Sequence, residues 1–156
     1  FKLSFEEILK ENRMAAGSFQ FLEFTPDESY FWVQLFETAY TNGWVRVDTT
    51  DWSYELFEAP EGILNGYPLN LVTGWIPLLP DSFWTGVDVF DEQLKAEREA
   101  TGEKAELYLY NVITKERLLV ETSDSSVWQN PTLIWLDNYT LEYTTPAGER
   151  KTFKLE

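Results

Sequence analysis

Apolar residues follow two different rhythms along this chain. From Ala105 onward they recur in short runs bounded by turn residues: Glu106 to Val112, Arg117 to Glu121, Thr132 to Leu136, Tyr139 to Tyr143 and Arg150 to Leu155. Runs of this length and spacing predict strands. Thr114-Lys115-Glu116, Asp137-Asn138 and Pro146-Ala147-Gly148 supply the turns. Tyr139, Leu141 and Tyr143 share one face, and Thr140, Glu142 and Thr144 the other. This is the pattern of an antiparallel meander of four or five strands with one wet face.

The N-terminal part reads differently. Ser4-Phe5-Glu6-Glu7 fits a capping box, and Phe5, Ile8 and Leu9 then fall on one face of a short helix ending near Arg13. Phe19 to Phe24 has strand composition between Gly17 and Pro26. Thr25-Pro26-Asp27-Glu28 combines a capping threonine, a proline suited to the first helical position, and acids beside the positive end of the helix dipole. It predicts a helix carrying Tyr30 to Tyr40 and closed by Asn42-Gly43-Trp44 as a Schellman cap. The competing reading is a hairpin, since Asn-Gly also makes a type I′ turn and these residues have high strand propensity. The cap signals at both ends favour the helix. Being apolar on most sides, it should be buried, with its aromatics in the core. Trp44 to Val47 and Tyr54 to Phe57 read as short strands. Asp48-Thr49-Thr50-Asp51 between them lacks the alternation of a calcium loop and reads as a solvated turn.

Asn65 to Glu92 follows neither rhythm. It sets Tyr67, Trp75, Phe83, Trp84 and Phe90 among Gly66, Pro68, Gly74, Pro77, Pro80 and Gly86. Leu69 to Trp75 and Gly86 to Phe90 have strand composition, whereas Ile76-Pro77-Leu78-Leu79-Pro80 is not expected to hold a regular ladder. One reading wraps this segment over the sheet, with Trp75, Leu78, Leu79 and Trp84 closing the core. The other exposes an aromatic patch rimmed by Asp81, Asp88, Asp91 and Glu92, an arrangement that marks interaction sites. Trp75, Trp84, Asp81, Asp88, Asp91 and Glu92 are the candidate binding residues. Asp91 to Thr101 has helical composition, with Gly102 as its end signal.

At 156 residues the chain predicts one domain, residues 1–156, of the α+β class. Its parts would be a C-terminal antiparallel meander packed on a buried capped helix, a short N-terminal helix, and an irregular aromatic, proline- and glycine-rich centre. Composition excludes a disordered acidic tail, since 17% of residues are aromatic. The net charge of −15 is concentrated in the middle: Met14 to Leu94 hold thirteen acids and one base, Arg46. Such a surface repels nucleic-acid phosphates and anionic lipid and attracts basic partners.

The chain has no cysteine and no histidine. That removes disulfides, Cys-ligated zinc, thiol nucleophiles and the commonest general base near neutral pH. No Gly-rich phosphate loop, G-x-S-x-G elbow or metal triad is present, so no cofactor, metal or catalytic residue is assigned. No apolar run reaches the roughly 18 residues that span a bilayer. The chain begins at Phe1 without a signal-peptide pattern, which leaves cytoplasmic and secreted locations open. Asn138-Tyr139-Thr140 matches a glycosylation acceptor but sits in a tight hairpin.

The function expected first is a monomeric, non-enzymatic binding or inhibitory domain of the immunity-protein or DNA-mimic type, engaging a basic protein through its acidic centre. The alternatives are a secreted or surface module holding a sugar or peptide on exposed aromatics, and a carboxylate-based hydrolase.

Overall fold

The computed structural model describes residues 7, 8, 10, 17–37, 40–60, 63, 66–79, 96–128 and 131–156, which contain ten antiparallel strands. The chain divides into two compact units, Phe1–Gly66 and Tyr67–Glu156.

The first unit is a four-stranded meander of β1 (Ser18–Phe24), β2 (Tyr30–Glu37), β3 (Tyr40–Asp48) and β4 (Tyr54–Glu58), in that spatial order. Phe31, Val33 and Leu35 on β2 face Val47, Val45 and Gly43 on β3, which in turn pair Val47 with Tyr54 and Val45 with Leu56. Val33, Leu35, Val45 and Val47 form a buried cluster with Ile8, against which Phe31, Tyr54 and Leu56 pack. The opposite side of the same strands is also buried at its centre: Trp32 and Trp44 are almost completely enclosed, and the Trp32 and Phe57 rings lie 5.4 Å apart. Gln34, buried beside them, donates from its side-chain amide to Thr41 Oγ1 at 2.6 Å.

The predicted buried helix from Thr25 to Trp44 is therefore corrected to the hairpin β2–β3. Burial on both faces removes the period-two signal that would have marked strands, leaving a continuous apolar run. The hairpin does not turn at Asn42-Gly43, which lie inside β3 with Gly43 opposite Leu35. The helix-start signal at Thr25 closes a turn instead. Thr25 Oγ1 accepts from Tyr30 N–H at 3.1 Å and donates to Asp27 Oδ1 at 2.7 Å, and Asp27 Oδ1 accepts from Ser29 N–H at 3.2 Å. These side-chain to backbone bonds serve turns and helix caps alike. The N-terminal helix expected from Ser4 to Arg13 is not shown. Of those positions only Glu7, Ile8 and Lys10 are described, each in helical conformation, and the α+β class gives way to mostly antiparallel sheet.

The second unit holds two three-stranded sheets. One orders β5 (Trp75–Leu78), β6 (Glu106–Asn111) and β7 (Arg117–Thr122); the other orders β10 (Arg150–Lys154), β9 (Thr140–Thr144) and β8 (Leu133–Trp135). The single C-terminal meander is thus corrected to two sheets. Leu107 and Leu109 of β6 and Leu141 and Tyr143 of β9 form one buried cluster with Leu79, Ala105, Trp128 and Leu155. β5 contains Pro77 opposite Leu109, in the segment expected to resist a ladder. It is the outer strand of its sheet, where a missing N–H costs no inner hydrogen bond. Residues 96–101 are helical, and Gly102 ends them with φ +70°.

Candidate functional site

The turns β1–β2 and β3–β4 lie at one end of the first sheet and are tied together there. Thr49 N–H donates to Ser29 O at 3.0 Å, and Thr49 Oγ1 donates to Glu28 O at 2.8 Å. This end carries Asp27, Glu28, Asp48 and Asp51. Asp27 is held down to about 2, first by the Thr25 hydroxyl and then by Ser29; Asp51 is lowered too, mainly by Ser53. Both carboxylates are therefore charged across the physiological range.

Aromatic rings stand beside these acids. On β1, Phe19 and Phe21 are paired with Leu35 and Val33, and a bulge between Phe21 and Phe24 resets the register so that Phe24 pairs with Phe31. Without the extra residue, Phe24 would point to the other side of the sheet from Phe19 and Phe21; the bulge returns it to theirs. Phe21 and Phe24 rings lie 5.5 Å apart, each is within 6.0 Å of Phe31, and Trp52 meets Phe31 edge-on at 6.2 Å. Phe19, Phe21, Phe24 and Trp52 are 53%, 51%, 48% and 46% exposed.

Trp52 is displayed by an unusual backbone. Among the described residues, its turn is one of three sharing a single design. In each, an Asp or Asn N–H donates to the carbonyl five residues on, and its own carbonyl accepts from the residue four on: Asp48 with Ser53 and Trp52, Asn70 with Trp75 and Gly74, Asn111 with Glu116 and Lys115. The Asx side chain accepts from N–H groups inside the turn: Thr50 at 2.7 Å, Val72 and Thr73 at 3.2 and 3.1 Å, Ile113 and Thr114 at 2.9 and 3.0 Å. The fifth residue is left-handed each time, Trp52 at φ +65°, Gly74 at +75° and Lys115 at +67°. Glycine takes that conformation without strain, whereas a bulky side chain there is an outlier. At Trp52 the strain coincides with an exposed indole.

Arg46, the single base of the acidic middle stretch, is already engaged. Its guanidinium donates from Nε to Glu55 Oε2 at 3.0 Å and forms an ion pair with the same carboxylate. It also stacks over Tyr30 at 4.7 Å, Phe57 at 5.5 Å and Trp32 at 5.6 Å. It offers little positive potential to offset the turn carboxylates.

Of the candidate residues from sequence, Trp75 opens β5, opposite Asn111, and packs partly buried against the core cluster of the second unit. Trp84, Asp81, Asp88, Asp91 and Glu92 lie outside the described residues. The aromatic and acidic end of the first sheet was missed. Two signals pointed to it: Trp52 inside an otherwise polar turn, and the spacing Phe19, Phe21, Phe24, which breaks period two by one residue.

The second unit has a polar cleft of about 590 Å³ lined by Glu121, Ser123, Asp124, Thr145, Glu149 and Lys151, among others. Burial pushes the Glu121 carboxyl up, but hydrogen bonds from Lys151 Nζ at 2.7 Å and Tyr143 Oη at 2.5 Å prevail and lower it. Lys104 pairs with Asp124 at 3.1 Å. Two of its acids are thus matched by lysines of the same unit. Among the described residues, no group of three or more acids is placed to hold a metal ion, and no helix is long and apolar enough to cross a membrane. Comparison with known family models, curated proteins and solved structures finds no match to this chain.

Proposed function

We propose that this chain is a protein-binding module that takes a basic segment of a partner on the aromatic face and acidic turns of its first unit. The observation that supports it most is the contiguous array of Phe21, Phe24, Phe31 and Trp52 beside Asp27, Glu28, Asp48 and Asp51, with Trp52 held in a left-handed backbone. Lysine and arginine side chains combine an apolar stem with a cationic head, so they suit ring faces flanked by carboxylates. The wider field of the acidic stretch would speed encounter with such a segment. This reading keeps the basic partner and moves the expected contact from Trp75 and Trp84 to the first sheet. The inhibitory version, in which carboxylates replace nucleic-acid phosphates on an enzyme, rests on charge alone. A sugar ligand is the second reading, because exposed rings also stack on pyranose faces.

Titration with an alternating lysine–valine dodecapeptide and its glutamate–valine counterpart, followed by calorimetry at low and high salt, tests the proposal. Saturable binding of the lysine peptide alone, weakened at least tenfold from 0.05 to 0.3 M salt and lost in the Phe24→Ser/Trp52→Gly variant, is expected. Equal binding of both peptides, no binding, or binding unchanged in that variant overturns it. Salt-insensitive binding to a glycan array supports the sugar reading instead.

A further inference from the structure

We infer that the polar cleft of the second unit binds a neutral polyhydroxy ligand such as a sugar, at a site separate from the aromatic face of the first unit. Ser123, Ser126 and Thr145 line this cleft, and the three residues are only 4%, 8% and 7% exposed. Their hydroxyl groups carry the inference. Ser123 Oγ accepts from Ser125 N–H at 2.8 Å and Thr145 Oγ1 from Glu149 N–H at 3.1 Å, but among the described residues neither hydroxyl has an acceptor for its own proton. Ser126 Oγ has no hydrogen-bond partner among the described residues, yet it is not sealed from solvent as Thr73 Oγ1 is. Burying a hydroxyl without a partner is unfavourable, so one that opens on a cleft points to a group that enters it.

The cleft is held in shape by the protein's own backbone. Ser123 N–H donates to Ala105 O at 2.8 Å, Ala105 N–H donates to Ser125 O at 2.9 Å, and Trp128 Nε1–H donates to Thr144 O at 2.7 Å. Thr145 O accepts from Gly148 N–H at 2.9 Å and fixes the turn on the other side. The volume of about 590 Å³ lies within the roughly 300–1,000 Å³ usual for preformed small-molecule sites.

The balance of donors and acceptors selects the ligand. Three hydroxyl protons are unspent. Glu121 takes one bond on each oxygen, from Lys151 and from Tyr143, and keeps further lone pairs, while the exposed Glu99 and Glu149 add acceptors. A phosphate or carboxylate would meet the hydroxyls but face Glu99, Glu121, Asp124 and Glu149 against Lys151 and the Lys104 bonded to Asp124. An ammonium group would suit the carboxylates and leave the hydroxyl protons unmet. Sugar hydroxyls donate and accept at once, and Pro146 and Ala147 offer a small apolar surface to the C–H side of the ring. No lining residue is aromatic, so hydrogen bonds rather than stacking would carry recognition.

Nuclear magnetic resonance titration of the full chain with glucose, galactose, mannose, N-acetylglucosamine, maltose and myo-inositol tests the assignment, with spermidine and inorganic phosphate as charged probes. At least one neutral probe is expected to shift amides within 123–126 and 145–149 saturably, with the same affinity at low and high salt. Ser126→Ala removes one oxygen and no described hydrogen bond, so the fold is kept. It should weaken that binding about tenfold, as the loss of one hydrogen bond to a ligand does. The Phe24→Ser/Trp52→Gly variant should bind the sugar like wild type. Saturation by none of the neutral probes, saturation by spermidine or phosphate in their place, or unchanged affinity in Ser126→Ala overturns the assignment. Each of these results leaves the peptide-binding proposal for the first unit standing.

Discussion

Replacing Trp52 by glycine and, separately, by alanine isolates the backbone strain at the aromatic site. Both substitutions remove the indole, so the lost packing cancels between them. With the ring about half exposed, roughly 100 Å² of surface returns to water, worth about 2 kcal/mol in either variant. What differs is the backbone. A side-chain-bearing residue at φ +65° costs about 1–2 kcal/mol, and alanine keeps that cost while glycine removes it. Against this, glycine gives the unfolded chain more freedom, worth about 0.4–1 kcal/mol. The glycine variant should therefore be more stable than the alanine variant by about 0.5–1 kcal/mol, the reverse of the usual order, while both stay below wild type. In urea, with a slope of about 2 kcal/mol/M, that is a midpoint difference of about 0.3–0.5 M. Far-UV circular dichroism is the suitable probe, because the other six tryptophans would blur a fluorescence signal. An alanine variant as stable as the glycine variant, or more so, would refute the claim that the fold imposes a strained conformation on Trp52.

The two other copies of the turn give opposite expectations at the same position. Lys115→Gly relieves φ +67° at an exposed site and should raise stability by up to about 1 kcal/mol. Gly74→Ala meets φ +75° and would set a Cβ 2.8 Å from Ile113 Cδ1, so a loss of about 1–3 kcal/mol in urea melts is expected; equal effects would show that the turns are not equivalent. Asp27 should titrate by carbon-detected NMR near 2, and Thr25→Val should return it toward 3.8. Because its folded value lies below the unfolded one, its contribution to stability is present above about pH 4 and disappears as pH falls through 2. An unchanged midpoint in Thr25→Val would remove the hydroxyl as the cause.

Local pattern determined much of the second unit and little of the first. β6, β7, β9 and β10 follow from runs bounded by polar turns, and β1 and β4 from composition between breakers, because these strands are short and end at residues with marked turn preferences. The turn at Asp48 to Ser53 was equally legible as polar and solvated. Its kinship with the turns at Asn70 and Asn111 was not, because the shared feature is a backbone hydrogen-bond pattern carried by different residues at the left-handed position.

Tertiary structure alone decided the rest. Tyr30 to Asp48 contains enough aromatic and β-branched residues for strands and enough capping chemistry for a helix. Local energies of these two kinds differ by little, and burial of Val33 and Val45 on one side and Trp32 and Trp44 on the other settles the choice. The same holds for the site. The sequence by itself established an acidic, aromatic-rich chain without histidine or cysteine chemistry. Which aromatics would meet solvent depends on which strand ends up at the edge of the sheet, and that is a property of strand order rather than of residue type. Phe19, Phe21 and Phe24 resemble core residues in every local respect. Their rings are about half exposed, and among the described residues β1 pairs with β2 alone.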